Sequence, residues 1–182
     1  MTHRRLSLAA ATAVVALIVG GLAVTANAGV RHDVRAARAA TSSFTHPGAA
    51  KKAGYGLLRD AKGVACIAMP GMGAMGIHYV NGALLDSKIA LRHPEALVYR
   101  FTRNGHLRLA ALEYVVLKQD WQTAHGANAA RPRLYGHRFN LTPAGNRFGL
   151  PAFYSLHAWI WYGNPAGRFK MWNPRVHCPA GI

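Results

Sequence analysis

Carboxylates are what this chain has least of. Its 182 residues hold six of them, Asp33, Asp60, Asp86, Glu95, Glu113 and Asp120, against 22 lysines and arginines, for a formal charge of +16. A chain so short of anions adheres to polyanions, and anionic cell-envelope polymers are the partners its charge selects. The positive charge is scattered, without a dense basic run or a recognisable nucleic-acid module, so no specific nucleic-acid binding is expected. Cysteine is scarcer still, with Cys66 and Cys178 alone. There is no C-x-x-C pair for a sulfur-ligated metal and no G-x-S-x-G nucleophile elbow. H-E-x-x-H, a P-loop lysine and G-x-G-x-x-G are missing too. These gaps argue against a serine hydrolase, a thiolate metal site and a nucleotide fold. No second apolar stretch matches the amino-terminal one in length, so no membrane span is expected after it, and no Cys follows it to carry a lipid anchor.

What is present starts with an address. His3, Arg4 and Arg5 precede an apolar run from Leu6 to Val24, which ends in Ala26-Asn27-Ala28. That is the pattern of a signal peptide over residues 1–28, cut before Gly29. The run is also long enough, at ~20 residues, to serve as an uncleaved anchor. On either reading the folded part lies outside the cytoplasm. Taking 28 from 182 leaves 154 residues, 29–182, enough for one domain with one core. Losing Arg4 and Arg5 lowers the charge from +16 to +14. In an oxidising compartment Cys66 and Cys178 are expected to pair. The loop they close exceeds one hundred residues, worth about 3–5 kcal/mol on the chain-entropy account. A catalytic cysteine is the alternative.

The pattern along residues 29–182 predicts an α+β domain, with helices first and then an antiparallel sheet of about five strands, curved or barrel-like. Residues 34–43 read as helix, and Pro47 opens a second short helix that Gly54 ends. Residues 63–68 and 77–80 read as strands around a glycine-dense loop. The clearest pair is 96–101 with 107–117, joined at Asn104-Gly105. A helical turn over 118–124, an edge strand over 134–141 and a long aromatic strand over 153–162 complete the prediction.

Strand alternation singles out three residues. It places Glu113 as the only charge on a face with Leu107, Leu109, Ala111, Val115 and Leu117. His78 shares its face with Val80. His157 shares one with Phe153, Ser155, Trp159 and Trp161. If these faces meet, one carboxylate and two imidazoles converge. His78, Glu113 and His157 are then a ligand set for a divalent first-row transition metal, with His137 or Tyr79 to complete or orient the shell. They equally form a metal-free acid–base group, with Glu113 orienting an imidazole. The bland alternative pairs Glu113 with an arginine and each His with a backbone carbonyl. Met69, Met72 and Met75 ahead of His78 offer soft thioethers for Cu(I), or simply cap the core from a loop.

Six blocks look familiar together: Gly73–Asn81 (GAMGIHYVN), Pro94–Tyr99 (PEALVY), Leu112–Val116 (LEYVV), Ala144–Pro151 (AGNRFGLP), Leu156–Trp161 (LHAWIW) and Trp172–Cys178 (WNPRVHC). The chain resembles, from Ala36 to Cys178, a family of small uncharacterised secreted proteins of actinobacteria and related bacteria. The resemblance implies secretion and carries no activity or ligand with it. Its blocks include His78, Glu113 and His157, while Met69 and Met72 depart from its pattern. The expectation is a secreted protein that binds a metal or small ligand through these three residues. The alternatives are an extracytoplasmic enzyme using the same residues, or a cationic envelope-associated structural protein.

Overall fold

The computed structural model describes residues 28–182, so the signal-peptide reading lies almost wholly outside the described residues. Residues 28–40 form helix α1, in which Val30, Val34, Ala37 and Thr41 recur at helical spacing and turn inward. A short helix α2, Pro47–Lys52, starts on its proline, and Gly54 at φ 88° takes the chain out of it. Nine strands follow: β1 Gly56–Leu57, β2 Cys66–Met69, β3 Gly73–Val80, β4 Ala96–Phe101, β5 Leu107–Leu117, β6 Arg133–Leu134, β7 His137–Arg138, β8 Asn140–Thr142 and β9 Phe153–Ala158. Helix α3, Lys118–His125, follows β5 directly.

Seven strands make one antiparallel sheet in the order β1-β3-β4-β5-β9-β8, with β2 on the same edge of β3 as β1. It is larger than the five strands expected, and it stays open rather than closing into a barrel. The helices cover one face. There Leu97, Tyr99, Leu112, Tyr114, Val116 and Leu156, all almost fully buried, pack with Ala37, Ala50 and Tyr55. Each large apolar side chain so buried contributes about 1.5–3 kcal/mol. The opposite face carries a small cluster of Ala74, Val98, Ala110, Ala111, Trp159 and Val176 at one end. The rest of that face is left for the site.

Several expectations are corrected by turn chemistry. The glycine-dense segment is a hairpin rather than a loop: Pro70-Gly71 turns with Gly71 at φ 76°, and β3 begins at Gly73. Asn104-Gly105 does close the central hairpin, but Gly105 at φ 76° follows the turn instead of occupying its centre. The single edge strand expected over 134–141 breaks at Tyr135 (φ 52°) and Gly136 (φ 77°), giving the ribbon β6–β7 and then β8. β9 ends at Ala158, four residues early, because the Trp159 N–H leaves the ladder for the Arg168 carbonyl, 2.9 Å away.

Two bulges reset which side chains share a face. Val98 pairs with Ala111 but Tyr99 pairs with Leu109, so Ala110 is an extra residue; its carbonyl accepts from Trp161 N–H and Tyr162 N–H at 3.1 and 2.9 Å. Leu107 and Leu109 therefore pack in the helix-covered core, away from Glu113. On β3, Ile67 pairs with Gly76 and Ala68 with Ala74, leaving Met75 as the extra residue.

Cys66 and Cys178 form a disulfide with Cα atoms 5.5 Å apart across 112 residues of sequence. It joins β2 to the carboxy-terminal tail. Among the described residues no helix is long and apolar enough to cross a membrane.

Candidate metal centre

The three residues singled out by alternation lie on three strands of the same sheet. Glu113 on β5 pairs directly with His157 on β9 and with Ala96 on β4. His78 sits on β3, opposite Val98 of β4. Strands β3 and β5 are two spacings apart, roughly 9–10 Å. Between them β4 presents only the Ala96 methyl in Glu113's row. Over that low point His78 and Glu113 meet, Nε2 to Oε2, at 3.2 Å. His157 Nδ1 lies 3.1 Å from Glu113 Oε1, and its Nε2 lies 3.1 Å from His78 Nε2. All three side chains are buried or nearly so. The imidazoles meet edge to face with ring centres 5.2 Å apart, and Trp159 stacks behind His157.

The charges follow from this packing. Burial pushes the Glu113 carboxyl up, but His157 first and His78 second, through charge and hydrogen bonds, hold it well below the ordinary carboxylate range. Glu113 is therefore an anion. His157 Nδ1 lies 3.1 Å from Oε1, and a neutral ring that keeps its proton on Nδ1 leaves its Nε2 a bare acceptor. His78 Nε2 faces that acceptor and Oε2 together. Two imidazole lone pairs and a carboxylate oxygen cannot face one another at 3.1–3.2 Å with nothing between them. Either a proton on His78 Nε2 or a cation must occupy the gap. A first-row ion with bonds of about 2.0–2.2 Å sets neighbouring ligand atoms roughly 3.0–3.5 Å apart; the two spacings from His78 Nε2 fall in that range, and the three donor atoms all lie within 4.8 Å of one another. Neutral imidazole and carboxylate donors suit zinc, iron and their neighbours.

The centre opens into a cavity of about 470 Å³ on the same sheet face. His78, Glu113 and Ser155 are at its floor, while Ile67, Val80, Val115, Leu150, Phe153 and Trp172 are among its apolar walls. His157 stands behind, outside the lining. A larger groove of about 930 Å³ lies beyond Met171 and Trp172, holds Arg138, Arg168 and Lys170, and contains none of the three.

The proposed auxiliaries do not join them. His137 is exposed on β7 and stacks on Phe169 at 4.3 Å. Tyr79 follows His78 and so points to the other face, where it packs edge-on against Tyr99. Trp161 likewise leaves His157's face and donates from its indole N–H to Thr41 Oγ1. The methionines separate: Met69 and Met75 line the cavity, Met72 lines the other groove, and Met69 and Met72 are exposed rather than capping a core.

Sequence reading missed the cavity's rim. Arg147 grips Asp60 through Nε and Nη2, Asp60 is buried, and Arg147 hydrogen bonds first, then the Val64 N–H, hold its carboxyl below the usual range. Asn146 shapes the loop beside it, its Oδ1 accepting from Phe148 and Leu150 N–H groups. Sequence distance hid the pair, since 87 residues separate the partners. The usable signal was scarcity: with only six acids in the chain, each was worth asking after one by one.

No family model, curated protein or solved structure matches this chain.

Proposed function

We propose that the protein binds a divalent first-row transition metal through His78, Glu113 and His157, and works outside the cytoplasm. The observation that supports the metal most directly is the inward-facing pair of Nε2 atoms, 3.1 Å apart, beside an anionic Glu113. When bound, such a metal supplies a Lewis acid or redox centre. The chain's own part is to fix three donors on rigid strands and to keep one side of them open to the cavity. Export is supported by the pattern of residues 1–28, the Cys66–Cys178 disulfide and the resemblance to small secreted actinobacterial proteins; the excess of basic residues suits an anionic envelope.

The test is elemental analysis of the protein exported through its own amino-terminal segment and purified without chelator. Near-stoichiometric metal that is lost in His78→Ala and Glu113→Gln supports the reading. A folded, disulfide-bonded protein that takes up no added Zn(II), Co(II), Fe(II) or Mn(II) overturns it.

A second reading has its own observation. Glu113, His157 and His78 form a hydrogen-bonded chain that ends at the cavity. Without metal, that chain orients His157 and places His78 to accept or give a proton. It is the reading that survives if no metal binds.

A further inference from the structure

The cavity beside the three donors is unusual for a protein this basic. Its walls are built almost entirely of aliphatic, aromatic and methionine side chains from β2, β3, β5, β9 and the 143–151 loop. The only cation in the lining besides the histidine is Arg147, and its charge is taken up by Asp60. In the metal-free protein the lining therefore leaves no unpaired arginine or lysine to compensate an anionic ligand. Asn146 uses its amide within its own loop and Thr142 adds a single hydroxyl, so the polar groups that stand together in the lining are Glu113, His78 and Ser155. Glu113 has spent one oxygen on His157 and the other on His78, yet each carboxylate oxygen can accept a second hydrogen bond. At about 470 Å³ the space lies within the ~300–1,000 Å³ range of small-molecule sites.

We infer that this cavity binds a neutral, largely apolar small molecule bearing a hydroxyl group, with its hydrocarbon body against the walls and its hydroxyl at the Glu113–His78 floor. The inference rests on the reading of the cluster as the functional site, and it names the ligand class for that site. For the metal-free protein, in which it is tested, neutrality follows from the lack of a free cation for an anionic ligand and from walls in which an unpaired ion is strongly disfavoured. The hydroxyl follows from the floor. An O–H donates to the Glu113 carboxylate when no metal is present, and its oxygen is a neutral donor to a metal when one is. A plain hydrocarbon would strip water from Glu113 and give nothing back, which costs affinity. A hydroxylated ligand therefore gains twice over a hydrocarbon of the same shape.

The experiment uses the exported protein in metal-stripped and metal-loaded forms, with N-phenyl-1-naphthylamine as a neutral fluorescent probe and 2-naphthol and naphthalene as matched competitors. The expected result is saturable, one-to-one probe binding in the stripped protein, weakened at least tenfold by Val115→Trp, which fills the cavity from a half-buried strand position. Leu117→Trp, further out on the same strand, gives the same reading if Val115→Trp does not fold. The 2-naphthol should displace the probe at a concentration at least tenfold lower than naphthalene. Absence of saturable binding by the folded protein, or binding indifferent to both tryptophans, overturns the inference; so does equal displacement by the two competitors. Because the first measurement needs no metal, probe binding without metal uptake would sink the metal reading alone. Metal uptake without probe binding would sink this one alone.

Discussion

Glu113 on β5 and Glu95 just before β4 are both buried carboxylates of one sheet, and they behave in opposite ways. Glu113 meets two imidazoles and is held an anion. Glu95, one residue before β4, has no cation beside it among the described residues. Its Oε2 accepts from the Val115 N–H at 2.8 Å, supplying an acceptor where the β4–β5 ladder has stopped at Ala96 and Glu113. Burial wins there, pushing its carboxyl up to about 8, and its proximity adds to the burial that lifts the Tyr55 phenol to about 12. Residue type and burial are the same; the partner decides whether the group keeps its proton. Only the anionic one is prepared to hold a cation. The neutral one completes a strand end.

The same substitution should therefore have opposite consequences at the two sites. Glu113→Gln keeps the shape but removes the charge and one metal donor, so metal content should fall below detection and affinity by at least a hundredfold, read by elemental analysis and Co(II) titration. Metal-binding in Glu95→Gln should be unchanged. A Glu95→Gln protein that also loses its metal would end the distinction drawn above.

The disulfide tests whether the site depends on the edge of the sheet as well as on its centre. Cys66 pairs across the ladder with Ile77, the residue before His78. Cys66→Ser with Cys178→Ser should lower unfolding free energy by about 3–5 kcal/mol in a denaturant titration. Metal affinity should drop several-fold as β3 loosens. Glu95, fixed from β4 and β5, should keep its raised titration, visible as an unchanged pH profile of stability.

How far these features were legible depends on which register they obey. β4 and β5 were readable to the residue, because the apolar runs Ala96–Phe101 and Leu107–Leu117 flank the turn signal Asn104-Gly105. From Glu113 onward the period of two also held, giving Glu113, His78 and His157 each a face on its own strand; that those faces meet is a property of the fold. Before Glu113 it failed, because the extra residue Ala110 moves Leu109 to the other face and leaves no trace in composition. Met75 was misplaced for the same reason, and Trp161 because a loop carbonyl ends β9 early. The Tyr135-Gly136 turn required φ above zero at a tyrosine, which local preference argues against. Glu95 and the Asp60–Arg147 pair depend on contacts formed only by the finished fold.

Glu95 gives the next effect. The folded protein keeps its proton up to about pH 8, whereas the unfolded chain releases it near the ordinary glutamate value. Between those limits the folded state binds more protons, so stability falls as pH rises. Glu95→Gln keeps an oxygen for the Val115 N–H and abolishes the ionisation. Its unfolding free energy should equal that of the parent below about pH 4 and exceed it by roughly 2–4 kcal/mol at pH 9. Parallel curves for the two proteins would mean that Glu95 is charged in the fold after all.

Asp60 supplies the smallest effect and the opposite slope. Its carboxyl is held low by Arg147 and the Val64 N–H, so the folded state gives up the proton more readily than the unfolded chain. The stability this contributes is fully present above the ordinary aspartate range and is lost as pH falls through the lowered value. Asp60→Asn should therefore be less stable than the parent at pH 7, and the difference should close as pH falls through the lowered value. Arg147 is half exposed, so solvent screens the pair and the difference is small. What makes it worth measuring is where the freed Arg147 would sit. With Asp60 neutral, the rim of the cavity gains an unpaired cation, and the preference for a neutral ligand should shift toward an anionic one. Displacement of the probe by 2-naphthoate, weak in the parent, should strengthen in Asp60→Asn. If it does not, Arg147's charge is not what sets the neutrality of the cavity, and its apolar walls alone do so.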